Sequence, residues 1–100
     1  MSGFRHVVMF SCKQEATEEQ KKTLVERLRE LPAAIPEIAT YSIGRDAGVN
    51  TGNHDFVVVA DFADREGYLV YRDHPAHLAV IEECIMPIRA ERSAVQYDLD

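Results

Sequence analysis

Residues 56–62 read Phe-Val-Val-Val-Ala-Asp-Phe, and this short apolar run decides the fold. A strand points successive side chains to opposite faces, so Val57 and Val59 lie on one face and Val58 lies on the other. Both faces are apolar at the centre of the run, which is typical of a strand that is covered on two sides. We therefore expect residues 54–62 to form a central strand.

The first part of the chain predicts a strand followed by a helix. Residues 4–13 are rich in apolar, β-forming side chains and read as the first strand. Thr17 and Gln20 have the spacing of a capping box, in which each side chain binds the other residue's backbone N–H, so a helix begins there. Pro32 and Pro36 end this helix. Its core-facing stripe comprises Leu24, Val25, Leu28 and Leu31.

The remaining elements surround the central strand. Residues 38–46 form the second strand, and the turn-forming cluster at 48–53 returns the chain as a hairpin. An aspartate-capped short helix is predicted over residues 64–71, and a proline-initiated helix from residue 75 to about residue 86 or 88. Residues 93–99 alternate apolar and polar side chains and form the last strand.

This order, β-α-β-β-α-β, predicts an α+β fold of the ferredoxin-like split βαβ type. Such a fold has a four-stranded antiparallel sheet with both helices on one face. The helices leave the other face uncovered, although the first and third strands are apolar on both faces. The uncovered patch would be large for a monomer and comprises Val7, Met9, Val57 and Val59, with Val95 or Tyr97. A second copy packed against this sheet face would bury it, so we predict a homodimer.

Composition limits the partners of the chain. Its 100 residues are 46% apolar and 28% charged, which indicates a single globular domain over residues 1–100. The net charge of −6 disfavours a nucleic-acid partner or an anionic membrane. No apolar run approaches the roughly 20 residues of a membrane span, and the N-terminal residues read as a strand, not a signal peptide. Cys12 and Cys84 have no paired spacing. We expect a cytoplasmic protein.

Histidines are the candidates for proton transfer near neutral pH. His77 lies in the first turn of the predicted second helix and shares a helix face with Ile81, so we expect its ring to point inward. Burial and the helix dipole both favour neutral imidazole, which can accept a proton. His6 shares a strand face with Val8 and Phe10, at the rim of the same interior. For each histidine, the alternative is a structural residue satisfied by hydrogen bonding.

Metal binding is a further alternative function for these histidines, and their spacing in the sequence argues against it. His74 and His77 are three residues apart, whereas two ligands on one helix face are typically four apart. No cysteine or carboxylate completes a ligand set. The sequence also lacks a phosphate-binding loop, a nucleophile elbow and a dinucleotide fingerprint. We predict neither a metal nor a cofactor.

Four segments, in their order along the chain, closely resemble the stress-responsive dimeric α/β-barrel family, also called Dabb. The most specific is the last one, and together they span nearly the whole chain. The resemblance implies a ferredoxin-like protomer whose sheet pairs with that of a second copy to form a dimeric α/β barrel. The four segments are His6-Val7-Val8-Met9-Phe10, Ile35-Pro36-Glu37-Ile38, Phe56-Val57-Val58-Val59-Ala60-Asp61-Phe62 and Tyr71-Arg72-Asp73-His74-Pro75-Ala76-His77.

The resemblance also implies chemistry, since a polyketide cyclase similar to this family closes a linear polyketide by an aldol-type condensation without a cofactor. Its catalytic histidine corresponds to His77, its catalytic tyrosine to Tyr71 and an additional strand histidine to His6. His77 would remove a proton next to a carbonyl, and Tyr71 would donate a hydrogen bond to the carbonyl oxygen as negative charge develops there. The pocket between helices and sheet would be lined by Val8, Phe10, Leu24, Leu28, Val58, Ala60 and Ile81.

Three functions stay open. The first is a dimer that binds a small, largely apolar or aromatic metabolite and acts as a cofactor-independent, cyclase-like lyase through His77 and Tyr71. The second is a non-catalytic stress-response or structural dimer, in which the histidines are core and capping residues. The third is a haem-degrading or quinol-type monooxygenase, with His77 or His6 as the haem ligand.

Overall fold

The structure, a computed structural model, describes residues 3–100, and residues 1–2 of the predicted domain lie outside that range. A π-helical turn, Ile81–Ile85, continues the last helix. Within the described range, no helix has both the length and the apolar character to cross a bilayer. The strands are β1 (Gly3–Cys12), β2 (Ile38–Arg45), β3 (Phe56–Phe62) and β4 (Arg89–Leu99), and the helices are α1 (Glu18–Arg29), α2 (Leu31–Ala34), α3 (Arg65–Asp73) and α4 (Pro75–Val80).

The four strands form one antiparallel sheet in the order β2-β3-β1-β4. Strands β1 and β3 are central, with Val8 opposite Val58 and His6 opposite Ala60. These side chains and Phe10 face the helices, and all of them except the half-buried Val8 are buried. The helices therefore cover one face of the sheet, which confirms the predicted ferredoxin-like split βαβ fold.

The other face of the sheet carries the predicted apolar patch. Met9 is 38% exposed, Val95 is 54% exposed and Tyr97 is 43% exposed, because no element of the described chain packs over them. Val57 and Val59 lie on the same face and are half-buried by their neighbours. We call this surface the open sheet face. Its exposure in a single protomer is what the sequence predicts.

Helix α1 begins at the predicted capping box and ends earlier than predicted. The Thr17 hydroxyl accepts a hydrogen bond from the Gln20 N–H at 3.1 Å, and the Gln20 side chain accepts one from the Thr17 N–H at 2.8 Å. The helix ends at Arg29, and Pro32 lies in the first turn of α2. A proline is tolerated there because the N–H groups of a first turn have no helical partner.

The second helical region is less regular than its sequence pattern predicts. The expected continuous helix over residues 75–88 keeps α-helical geometry only to Val80. A π-helical turn follows, closed by a hydrogen bond of 2.8 Å from the Met86 N–H to the Ile81 carbonyl. A single wider turn of this kind re-aims the side chains that follow it, and such turns are frequent at functional sites. Here Ile81 and Ile85, which bound the turn, border the cavity described below.

Strand β4 begins at Arg89, before the predicted start at Ser93. It pairs with β1 along its length, with a bulge where Ser11 and Cys12 meet it. The first residues of β4, an edge strand, are mostly polar and exposed. They therefore lack the alternation of apolar and polar residues from which a strand is predicted. The longer strand brings Arg89 and Arg92 into the sheet.

Candidate functional site

The candidate residues meet in a cavity between the sheet and the α3–α4 layer. Its volume is about 290 Å³, near the lower end of the roughly 300–1,000 Å³ that is usual for small-molecule sites. The three predicted catalytic residues line it, namely His6, Tyr71 and His77. Five of the predicted contact residues also line it, namely Val8, Phe10, Leu28, Val58 and Ile81.

Two predicted contact residues, Leu24 and Ala60, lie outside this lining. Each is 0% exposed and packs within the core. A side chain without accessible surface cannot touch a ligand in the cavity, so neither belongs to the site. The apolar pattern identifies them as inward-facing, but it does not reveal which inward-facing side chains border empty space.

A hydrogen bond to the main chain sets the tautomer of His77. Its ring is half-buried and stacks on Tyr71, with 4.1 Å between centroids and 30° between planes. The Nδ1 atom lies 3.1 Å from the carbonyl oxygen of Arg72. A carbonyl can only accept, so Nδ1 carries the proton of the neutral ring and Nε2 keeps a free lone pair. Burial lowers the pKa of His77 below 6.5, which favours this neutral form at pH 7.

His6 is neutral too, but its hydrogen bond selects the opposite tautomer. The ring is 4% exposed, and the amide of Gln96 donates to its Nδ1 atom at 2.8 Å. The proton of the neutral ring therefore lies on Nε2, which is a donor. Burial, followed by the nearby positive charge of Arg92 and the neighbouring His77, lowers the pKa of His6 to about 4. His6 is thus a hydrogen-bond donor at neutral pH and not a base.

Tyr71 connects the two histidines, and its hydroxyl has a partner that the sequence did not indicate. The ring centroid lies 6.1 Å from that of His6 and 4.1 Å from that of His77. Its hydroxyl is 3.0 Å from the hydroxyl of Tyr41 on β2. Burial raises the pKa of Tyr71 far above its usual value and that of Tyr41 to about 12, so both phenols stay protonated. When Tyr41 donates within this pair, the Tyr71 proton is free for a ligand.

Three arginines and one aspartate supply the formal charge of the cavity lining. Arg72 and Asp73 form a two-bond pair, with N–O distances of 2.9 and 3.0 Å. Arg89 and Arg92 come from β4 and also line the cavity. Sequence reasoning missed both of them, as well as Gln96 and Tyr41. The register of the strands brings Arg89 and Arg92 to the cavity, Gln96 to His6 and Tyr41 to Tyr71.

The residues of the described range do not form a metal centre. Within residues 3–100, no group of three or more histidine, cysteine, aspartate or glutamate side chains could hold an ion. His74, the nearest histidine to His77 in the chain, caps α4 by accepting a hydrogen bond from the Ala76 N–H at 3.0 Å. His54 lies 3.4 Å from the Ser93 hydroxyl, outside the cavity lining.

Two further surface depressions, among the residues that the structure describes, lack the pairing of histidine and tyrosine found in this cavity. A groove of about 350 Å³ runs beside the start of α1 and contains no histidine or tyrosine. A second, of about 490 Å³, lies at the end of the β2–β3 hairpin, where His54 is the only histidine in its lining among the described residues. The cavity at His77 combines an apolar wall with histidine, tyrosine and arginine side chains, which is the usual character of a small-molecule site.

The comparisons with known proteins agree with this fold. The model of the family described as the stress responsive A/B barrel domain, Dabb, matches residues 4–99. Among curated proteins, none matches the chain.

Solved structures reproduce nearly the whole chain. A dimeric ferredoxin-like protein of unknown function from Thermobifida fusca is 42% identical, with a TM-score of 0.90 and coverage of 98% of this chain and 92% of that one. A Dabb family protein with a ferredoxin-like fold from Mesorhizobium loti is 23% identical, with a TM-score of 0.80 and coverage of 97% and 96%. A hydroxynitrile lyase from Passiflora edulis is 18% identical, with a TM-score of 0.86 and coverage of 98% and 94%.

Proposed function

We propose that this chain, which belongs to the stress-responsive A/B barrel domain family, binds a small, largely apolar metabolite in its cavity. The protein then catalyses proton transfer on this metabolite. In this proposal His77 removes a proton from a carbon next to a carbonyl group. Tyr71 and His6 donate hydrogen bonds to the carbonyl oxygen, which becomes negative as the enolate forms. The reaction class is a cofactor-independent lyase or aldol-type cyclisation.

One observation carries the proposal, namely the hydrogen bond between the His77 Nδ1 and the Arg72 carbonyl. It leaves Nε2 as the proton acceptor of a ring whose lowered pKa favours the neutral form. The Nε2–H of His6 is a complementary donor, because Gln96 occupies its Nδ1. A base and a donor with fixed, opposite roles are what enolate formation requires. That a hydroxynitrile lyase has this fold is consistent with a lyase here.

The same proposal includes a homodimer formed through the open sheet face. Met9, Val95 and Tyr97 expose apolar surface there, and a second copy would remove that surface from water. The 42% identical protein from Thermobifida fusca is dimeric, which supports a second copy of this chain as the covering layer. A cytoplasmic location stays a prediction.

Deuterium exchange at an aryl ketone tests the catalytic part. In deuterium oxide near neutral pH, the wild-type protein should accelerate loss of the methyl proton signal of acetophenone in proton NMR spectra. Replacing the base, in His77→Gln, should reduce this acceleration about 10²- to 10⁴-fold, the range that general bases contribute. Tyr71→Phe should give a smaller loss. The matched control is His54→Gln, which changes a histidine outside the cavity and should exchange at the wild-type rate.

Each other outcome has a defined meaning. Equal acceleration by wild type and His77→Gln would reject His77 as the base. If a panel of aryl ketones shows no acceleration with wild type, the catalytic proposal fails and a non-catalytic stress-response or structural dimer is favoured. A Soret band that appears on titration with haem and is lost in His77→Ala or His6→Ala would instead favour the haem-degrading monooxygenase.

A further inference from the structure

Among the residues that the structure describes, two arginines of the cavity lining have no acidic partner. Arg89 and Arg92 border the cavity, and in the part of the chain that the structure describes neither takes part in a salt bridge or a side-chain hydrogen bond. The third arginine of the lining, Arg72, is neutralised by Asp73 at 2.9 Å. The cavity therefore has a local excess of two positive charges, in a chain whose net charge is −6.

The position of Arg92 in the sheet directs it to the cavity and away from the open sheet face. Arg92 is opposite Phe10 in the β1–β4 register, and Gln96 is opposite His6. These pairs lie on the helix side of the sheet, where His6 and Phe10 are buried. Val95, by contrast, is opposite Val7 on the open sheet face. A partner that covered the open sheet face would therefore leave Arg92 at the cavity.

We propose, building on the proposed function, that the ligand of this cavity is an organic anion. Its apolar body packs against Val8, Val58 and Ile81, and its single carboxylate or phosphate group is held by Arg89 and Arg92. Planar guanidinium groups suit this role because they donate paired, charge-assisted hydrogen bonds to either anion. The same contact fixes the ligand at one end, so that the reactive carbon is presented to His77 in one orientation.

Calorimetric titration with three matched probes tests the inference. The probes are 3-phenylpropanoate, its neutral counterpart 3-phenylpropanamide and 2-phenylethyl phosphate, which share a phenyl group and a two-carbon linker. Wild-type protein should bind at least one anion roughly tenfold more tightly than the amide. Hydrogen bonds to charged groups are stronger than those to neutral groups, and the difference in free energy corresponds to about this ratio of dissociation constants. The anion that binds more tightly identifies the source of the charge as a carboxylate or a phosphate.

Charge-removing variants locate the effect. Affinity for the anion should fall more than affinity for the amide in Arg92→Gln or Arg89→Gln. The preference for the anion should therefore fall severalfold in each single variant and be lost in the double variant. Arg29→Gln is the matched control, because Arg29 is exposed at the end of α1 and does not border the cavity. It should keep the full preference. Circular dichroism verifies that each variant is folded.

The outcomes separate this inference from the proposed function on which it rests. If the amide binds and neither anion binds more tightly, anion recognition is rejected and the apolar metabolite site stands. An unchanged preference in the double variant also rejects the role of the arginines. If no probe binds wild-type protein at millimolar concentration, the inference and the metabolite site are both rejected.

Discussion

At the scale of single residues, His6 and His77 show how hydrogen bonds assign different roles to identical side chains. The Arg72 carbonyl holds the proton on Nδ1 of His77, whereas the Gln96 amide leaves the proton of His6 on Nε2. Burial keeps both rings neutral by lowering their pKa values. One ring is thus prepared to accept a proton and the other to donate a hydrogen bond.

The buried His6 should make stability depend on pH. Its pKa is about 4 in the folded protein and 6.5 when unperturbed. Between these values the unfolded chain binds more protons, so the folded state loses stability as the pH falls. From pH 7 to pH 5, His6 alone should lower the free energy of unfolding by about 2 kcal/mol. Urea unfolding at both pH values measures this fall.

The matching variant removes the titrating ring. In His6→Gln the fall between pH 7 and pH 5 should shrink by that amount, whatever the variant's stability at pH 7. His54→Gln, which changes a histidine outside the buried core, should keep the wild-type fall. A fall of wild-type size in His6→Gln would show that other groups cause the pH dependence.

At the scale of elements, two irregular segments shape the cavity. The π-helical turn after α4 carries Ile81 and Ile85 to its wall. The early start of β4 at Arg89 adds the two arginines. The regular elements, by contrast, follow local sequence signals, and the capping box of α1 is the clearest of them.

The capping box provides a prediction for α1. Thr17→Ala removes the hydroxyl that accepts the Gln20 N–H, so the free energy of unfolding should fall by about 1 kcal/mol. Thr23→Ala is the control, since Thr23 is exposed within the same helix and alanine has the higher helix propensity. Urea unfolding compares the two variants. If Thr17→Ala is no less stable than Thr23→Ala, the cap does not stabilise this helix.

At the scale of the whole molecule, the sheet has one buried face and one exposed apolar face. The helices bury the side that contains Phe10 and Val58, and nothing in the described protomer buries Met9, Val95 or Tyr97. Apolar surface of this kind favours association, because water is released from both partners. The proposed dimer thus follows from the arrangement of the layers and not from any single residue.

A charge on the open sheet face should separate the subunits. Val95→Lys should give a species near 11.3 kDa in sedimentation velocity, whereas the wild type should sediment at about twice this mass, because a buried lysine without a partner is strongly unfavourable. Val49→Lys makes the same substitution at an 82% exposed position in the hairpin loop and should stay dimeric. Wild-type protein that is monomeric at micromolar concentration would contradict the dimer.

Much of the fold was predictable because its signals are local. The two-residue period of β3, the capping box at Thr17 and the break at Pro75 each depend on residues close together in the chain. The π-helical turn and the first residues of β4 were not predictable from such patterns. Their conformations depend on packing and strand pairing with distant residues. The helical apolar pattern through residue 88 does not reveal the wider turn, and the polar start of β4 shows no apolar alternation.

By itself, then, the sequence determined the split βαβ order, the inward-facing set of apolar residues and the presence of apolar surface on both sheet faces, since burial is encoded in periodicity. Only the tertiary structure decided which inward residues border the cavity, as Leu28 does and Leu24 does not. It also decided the tautomer of His6, through a hydrogen bond to Gln96, 90 positions further along the chain. Contacts over that separation are set by strand register, which no local pattern specifies.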